Sequence, residues 1–220
     1  MSVAVVIPAA GRGERLGAEC PKAFVDVAGR TLLEHAVAGV RGVADVLVIA
    51  VPAEHVDGAQ QLVPDAVVVA GGATRQQSVR AALAVLPAEA DVVLIHDAAR
   101  AFVPEDVVHR VATAIQDGAD AVIPVVPVAD TMKEVDAGGA VVRTVDRAAL
   151  RAVQTPQGFR RDVIEQAHAC GADATDDSAL AEAIGVTVAT VPGSAEAFKL
   201  TTPLDLAVAA ALVARRGYGV

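Results

Sequence analysis

Apolar, β-branched runs of strand length recur along the chain at Val3 to Ile7, Val46 to Val51, Ala66 to Ala70, Val92 to Ile95 and Ala121 to Val126. None alternates as a strand with one wet face does, so each predicts a strand covered on both sides. Helical spacing fills most of the intervals, and that order predicts parallel strands joined by helical crossovers. Helix starts are signed as well. Thr31 with Glu34 and Thr74 with Gln77 have the spacing of capping boxes, and Pro203 follows Thr202 at a first helical position. The predicted fold class is α/β, a doubly wound and mostly parallel sheet with helices on both faces.

The pattern breaks between Pro127 and Arg151. TMKEV, a turn at Asp136 to Gly139 and AVVRTV read as two short, half-polar strands of a β-hairpin inserted in the series. A lone two-stranded hairpin is marginal in water, so an arm of about residues 127–151 should pack on something. A second copy of the chain is the expected partner, giving a homodimer; folding back on its own domain is the alternative. Beyond the arm, helices are expected near Arg161 to Cys170, Asp177 to Gly185 and Pro203 to Arg216, and strands at TVATV and EAFKL. With no internal repeat or low-complexity tract, residues 1–220 read as one domain carrying the arm.

Composition narrows the function. The 220 residues are 54% hydrophobic and 20% charged, which excludes a disordered chain. Mean hydropathy is +0.47, yet every apolar run is broken by Gly, Pro or charge well short of the ~20 residues that span a bilayer. No membrane partner is expected. A net charge of −9 with only three lysines, Lys22, Lys133 and Lys199, excludes a broad nucleic-acid surface but leaves room for a nucleotide-sized anion. Cys20 and Cys170 have no metal-ligand spacing and are too few for a disulfide framework, which suits a reducing, cytoplasmic setting. MSVAVVIPAAG lacks a basic region ahead of its apolar run, so it reads as a first strand and not a signal peptide.

The chemistry concentrates where that strand ends. Ala9, Ala10, Gly11 and Gly13 let backbone N–H groups approach a phosphate chain, while Arg12, Arg15 and Lys22 add full positive charge. Two familiar phosphate loops fail on inspection. A dinucleotide fingerprint needs Gly where Leu16 stands and an acid where Val51-Pro52 stands. A P-loop needs Ser or Thr after its lysine, and Ala23 follows Lys22. Asp97 follows the run Val92 to Ile95 through His96, at the edge of a parallel sheet where ligands bind, and a carboxylate there can hold a metal. His96 reads as structural, and Cys20 as a small loop residue without a histidine partner.

PAAGRGERLGAECPKAF resembles the signature loop of the Rossmann-like nucleotidyltransferases that activate phosphorylated sugars and alditols. GGATRQQSV, HDAAR, DTMKEV, VDRAAL, QTPQGF, TDDSAL and FKLTTPLDL, in series along the whole length, are similar to the 2-C-methyl-D-erythritol 4-phosphate cytidylyltransferase family of the non-mevalonate isoprenoid pathway. The resemblance implies CTP and methylerythritol phosphate as substrates and a homodimer joined through the β-arm. It implies that Arg15, Lys22 and Lys199 stabilise charge on the triphosphate, that Asp97 helps hold Mg²⁺ or another divalent cation, and that Ala9, Ala10, Gly11, Gly13, Gly72 and Ser78 surround the nucleotide. Arg100, Thr131, Arg147 and Thr155 would grip the acceptor, Thr131 and Arg147 from the partner's arm. Many relatives carry an acid where this chain has Ala73 and Pro where it has Ala101. The residues leave two alternatives open, a ribitol 5-phosphate cytidylyltransferase and a noncatalytic nucleotide-binding regulator.

Overall fold

The computed structural model describes residues 1–11, 13, 16 and 20–217. Strand β1 (Ser2–Pro8) leads to a small hairpin, β2 (Asp26–Val27) and β3 (Arg30–Thr31), and then to helix α1 (Leu32–Val40). Next come β4 (Val46–Val51), α2 (Val56–Leu62), β5 (Val67–Ala70), α3 (Arg75–Leu83), β6 (Ala90–Ile95), α4 (Glu105–Gln116) and β7 (Ala121–Pro127). The arm follows as β8 (Met132–Val135) and β9 (Val141–Val145), then β10 (Arg151–Val153) and β11 (Gln157–Arg160). The remaining elements are α5 (Arg161–Ala169), α6 (Asp177–Ala183), β12 (Val188–Pro192) and α7 (Pro203–Arg216).

In the main sheet β1 lies between β4 and β6, with β5 beyond β4, and all four run parallel. β11 runs antiparallel between β6 and β7, β10 continues along the far half of β7, and β12 pairs in parallel on β7's other side. The expected mostly parallel sheet therefore carries one antiparallel line. Side chains on β1 divide by the strand's period of two. Val3, Val5 and Ile7 pack with α1, α2 and α4 in one cluster, whereas Ala4 and Val6 pack with α3, α5 and α6 in another. Helices thus cover both faces.

The helix starts form as expected: Thr31, Thr74 and Thr202 each accept from the third helical residue's N–H, and each capping box is closed by the side chain of that residue. EAFKL does not form the expected strand. Ser194 caps a 3-10 turn over Ala195–Ala197, and the Leu200 amide donates to Ala99 O (2.8 Å) in the loop after β6. Its apolar side chains serve a third cluster instead, in which Leu200 is buried against Phe102, Ala209 and Val213, with Phe198 at its margin.

The inserted hairpin is present. Among the described residues β8 and β9 pair antiparallel with each other alone, as a separate two-stranded sheet. Asp136 holds its turn by accepting from the N–H groups of Gly138 and Ala140, both at 2.9 Å. Met132, Val135, Val141 and Val142 stay exposed on it.

Candidate functional site: a cleft at the edge of the sheet

The parallel strands β1, β4, β5 and β6 point their C-terminal ends at one edge. The chain winds from β1 outward to β4 and β5, then returns across β1 to β6, so the reversal in strand order falls between β1 and β6. At such a switch point the loops part and leave a crevice. Here it is a cleft of about 890 Å³, walled by the loop after β1, Gly71 and Gly72, Asp97, and Lys199 with Thr201.

Its first wall depends on close backbone approach. Gly13 has φ +71°, and a Cβ there would lie 2.7 Å from Lys22 Cβ, so a side chain would collide with the lysine's own stem. Lys22 N donates to Gly11 O (3.2 Å), and its Nζ donates to the carbonyl of Leu200, drawing the first loop and the segment before α7 together. On the opposite wall a Cβ on Gly71 would meet Ser78 Oγ at 2.8 Å and Ala10 Cβ at 2.9 Å. Ser78 is buried on the first turn of α3; its hydroxyl accepts from Gly72 N (3.2 Å) and donates to Thr74 O (3.0 Å). It shapes the Gly72 loop and does not point into the cleft as a free hydroxyl.

The floor carries the charge. His96 N donates to Val6 O (2.8 Å), continuing the β6 pairing, and this sets Asp97 at the rim of the switch point. Asp97 Oδ1 accepts from Arg75 Nε at 2.9 Å and Oδ2 from Lys199 Nζ at 2.8 Å. Burial favours the protonated acid, but Arg75 and Lys199 overcome it and hold the carboxyl well below its usual range. His96, fully buried, is pushed down to about 4 by burial against the opposing pull of Asp97. It is a neutral ring in contact with Thr155 Oγ1 (3.1 Å).

Lys22, Asp97 and Lys199 therefore share one cleft with Ala9, Ala10, Gly11, Gly13, Gly72 and Ser78. Arg15 lies outside the described residues. The four residues expected to grip the acceptor do not line this cleft. Arg100 donates to Ala197 O (2.8 Å) and Val153 O (2.9 Å). Thr155 is buried behind the floor, accepting from Asp97 N at 3.1 Å. Thr131 is exposed ahead of β8. Arg147 donates to Ala129 O and lines a second cleft of about 480 Å³ at the root of the arm, with Asp146 and Arg151.

Arg75 and Glu54 are charged wall residues that sequence reasoning missed, and Arg75 is the one that contacts Asp97. The motif GGATRQQSV places it only as the first residue of a helix; nothing local says that it reaches a carboxylate 22 positions on. Behind it stand Asp177 and His168, also missed. Among the described residues no three His, Cys, Asp or Glu side chains cluster as a metal cage.

A family model for 2-C-methyl-D-erythritol 4-phosphate cytidylyltransferase matches residues 3–215. Proteins of that name from Frankia casuarinae and Saccharopolyspora erythraea are 54% and 53% identical to this chain, each over 97% of it, covering 82% and 100% of their own lengths. The crystal structure of 2-C-methyl-D-erythritol 4-phosphate cytidylyltransferase from Thermus thermophilus is similar at a TM-score of 0.83 with 43% identity, covering 97% of this chain and 100% of that one.

Proposed function

Because this chain belongs to the 2-C-methyl-D-erythritol 4-phosphate cytidylyltransferase family, we propose that its main cleft binds CTP and directs the cytidylyl group onto 2-C-methyl-D-erythritol 4-phosphate, a step of isoprenoid precursor synthesis. An oxygen of the acceptor phosphate forms a bond to the α-phosphorus as the α–β bridging bond breaks, giving 4-diphosphocytidyl-2-C-methyl-D-erythritol and pyrophosphate. The acceptor phosphate is largely ionised near neutral pH, so no general base is required. What the protein must supply is alignment and positive charge where negative charge builds. The observation that carries this reading is the meeting of Lys22, Asp97 and Lys199, from three distant segments, at the β1–β6 switch point.

Lys22 and Lys199 are assigned to the phosphates, and Arg15 is assigned to them on resemblance alone. The Gly11 and Gly13 backbone, together with that of Gly72, which Ser78 holds, is assigned to the nucleoside. The donor set fits Mg²⁺: the ionised carboxylate of Asp97, on the cleft floor, suits a hard ion that would take its remaining ligands from phosphate oxygens and water. When bound, that ion neutralises phosphate charge beside the lysines.

Thr131 and Arg147 are assigned to the acceptor grip from the arm of a second copy; Arg100 and Thr155 keep that assignment on resemblance alone, since neither lines the main cleft. Two features support this. Arg147 lies at a cleft of its own chain that shares no lining residue with the main one, and the arm carries exposed apolar side chains on a hairpin whose strands pair with each other and not with the main sheet. A cytoplasmic setting is supported by the exposed, unbridged Cys20 and Cys170; among the described residues no helix is long and apolar enough to cross a membrane.

A pyrophosphate-release assay with CTP and Mg²⁺ tests the reading. Release is expected with methylerythritol phosphate and not with ribitol 5-phosphate; release with ribitol 5-phosphate alone would overturn the acceptor assignment.

A further inference from the structure

The carboxylate on the cleft floor is tethered unequally. Lys199 comes from the solvent side with 43% of its side chain exposed, whereas Arg75 is 29% exposed and Asp97 only 12%. Arg75 is anchored from behind: its Nη2 lies 2.7 Å from Asp177 Oδ2, and the Asp177 side chain is fully buried. Asp177 in turn meets buried His168 Nε2 through Oδ1 at 2.9 Å. The chain of contacts runs from Lys199 to Asp97, Arg75, Asp177 and His168, alternating cation and anion up to the imidazole.

The rear of this chain is itself locked. Asp177 opens α6, and the preceding residue, Asp176, caps that helix by accepting from Ala179 N at 2.9 Å. Gln157 on β11 holds both neighbours, donating to Asp176 Oδ2 (2.8 Å) and accepting from Ser178 N (3.0 Å). Asp177 is therefore fixed to the sheet and does not touch the cleft. A guanidinium suits the place between two carboxylates because its planar fork offers separate donors to each, which one ammonium does not. Burial opposes the charge on Arg75, yet Asp177 and Asp97 together hold it more firmly protonated than usual.

We propose that Asp177 and His168 are positioning residues that keep Arg75 on Asp97 during the reaction, so that Lys199 can leave Asp97 for the phosphates of CTP without unseating the carboxylate. The inference rests on the reading of the cleft given above. If Asp177 lost its charge, Arg75 would have one anchor in place of two, and its head would be drawn to the triphosphate as a mobile counter-ion. Asp97 would then lose its fixed oxygen at the moment Lys199 departs.

The test uses Asp177→Asn, Arg75→Lys, His168→Leu and His168→Gln in the full chain. Turnover is expected to fall about tenfold or more in the first three with KM for the acceptor within about twofold, and His168→Gln, whose amide still donates to Asp177, should recover most of the loss in His168→Leu. The double variant Arg75→Lys/Asp177→Asn should be no slower than the worse single one. Calorimetric titration with CTP, without acceptor so that no turnover occurs, gives a second reading. Affinity for CTP in Mg²⁺ should weaken in Asp177→Asn, while affinity in EDTA should not. Wild-type turnover and CTP affinity with only a lowered melting temperature would overturn the proposal, and so would equal losses in His168→Gln and His168→Leu. If Asp177→Asn does not fold, the His168 pair and Arg75→Lys carry the same decision. A wild-type chain that makes no cytidylyl product would defeat the assigned reaction, whereas the comparison of CTP affinities would still judge the tether.

Discussion

In the cleft, charged groups hold one another: Asp97 lies between Arg75 and Lys199, Lys22 rests on the Leu200 carbonyl, and Gly13 and Gly71 admit close packing that a methyl group would block. In the arm, β8 and β9 pair with each other and not with the main sheet, and Val141 and Val142 are 61% and 59% exposed. The first region has the preorganisation that electrostatic stabilisation of a transition state demands. The second is a surface whose apolar side chains face solvent in the single chain, which is what a trans-acting element requires before assembly. On the proposed reading, the cleft is the part of the active centre complete in one chain and the arm the part that a second copy completes.

The largest test of that division is Lys22→Ala. Losing one charge contact to the reacting phosphate should lower turnover by about 10²- to 10³-fold, or about 2.7–4 kcal/mol in the barrier, read by initial rates at saturating CTP. Retained turnover would remove Lys22 from the reacting centre. Arg147→Ala should act differently, raising KM for the acceptor about tenfold (about 1.4 kcal/mol) with a smaller change in turnover at saturation. Mixing Lys22→Ala with Arg147→Ala chains under subunit exchange should then regenerate activity, because one of the two sites in a mixed dimer is intact. Proven exchange without recovery would place Arg147 in its own chain's site.

A third variant addresses the apolar face of the arm. Val141→Asp/Val142→Asp should shift sedimentation from dimer to monomer without lowering the main sheet's thermal midpoint when both proteins are monomeric; an unchanged sedimentation coefficient counts against the arm as the interface. The smallest effect expected is a pH dependence. Backbone N–H groups of Thr201 and Thr202, with their hydroxyls, hold Asp205 at about 2 against an ordinary value of 3.8. A folded-state value below the unfolded one gives stability that is complete above the unfolded value and is lost as pH falls through the folded one. The difference in melting temperature between wild type and Asp205→Asn should therefore be full above pH ~5 and shrink toward pH ~2.

What the sequence disclosed follows the range of the interactions involved. Thr31–Glu34 and Thr74–Gln77 are three-residue devices, and they form as read. Four of the five apolar runs are strands whose burial on both faces leaves a continuous signal, whereas β5, expected to be covered likewise, is the sheet's edge strand with Val67 46% exposed; the position of Asp97 follows from where one of the runs stops. Lys199 is legible as a site residue only through resemblance to a family, and its segment reads as a strand although Phe198 and Leu200 are apolar for the sake of α7, not of a sheet. The antiparallel β10 and β11 have too few residues to show a period. Arg75 and Asp177 meet across about a hundred positions, and no pattern in either segment announces a partner on the other.

Lys199 travels with α7. Its neighbour Leu200 is buried against Ala209 and Val213 of that helix, and Arg216, the helix's last residue, donates to Phe102 O in the loop that follows Asp97. During synthesis the strands, the glycine loops and Asp97 all emerge before this helix does. A nascent chain whose final turns are still inside the ribosome lacks the helix against which Leu200, the neighbour of Lys199, is buried. On the proposed role of Lys199, a product cut short before Pro203 is expected to retain every strand of the sheet and to lose turnover.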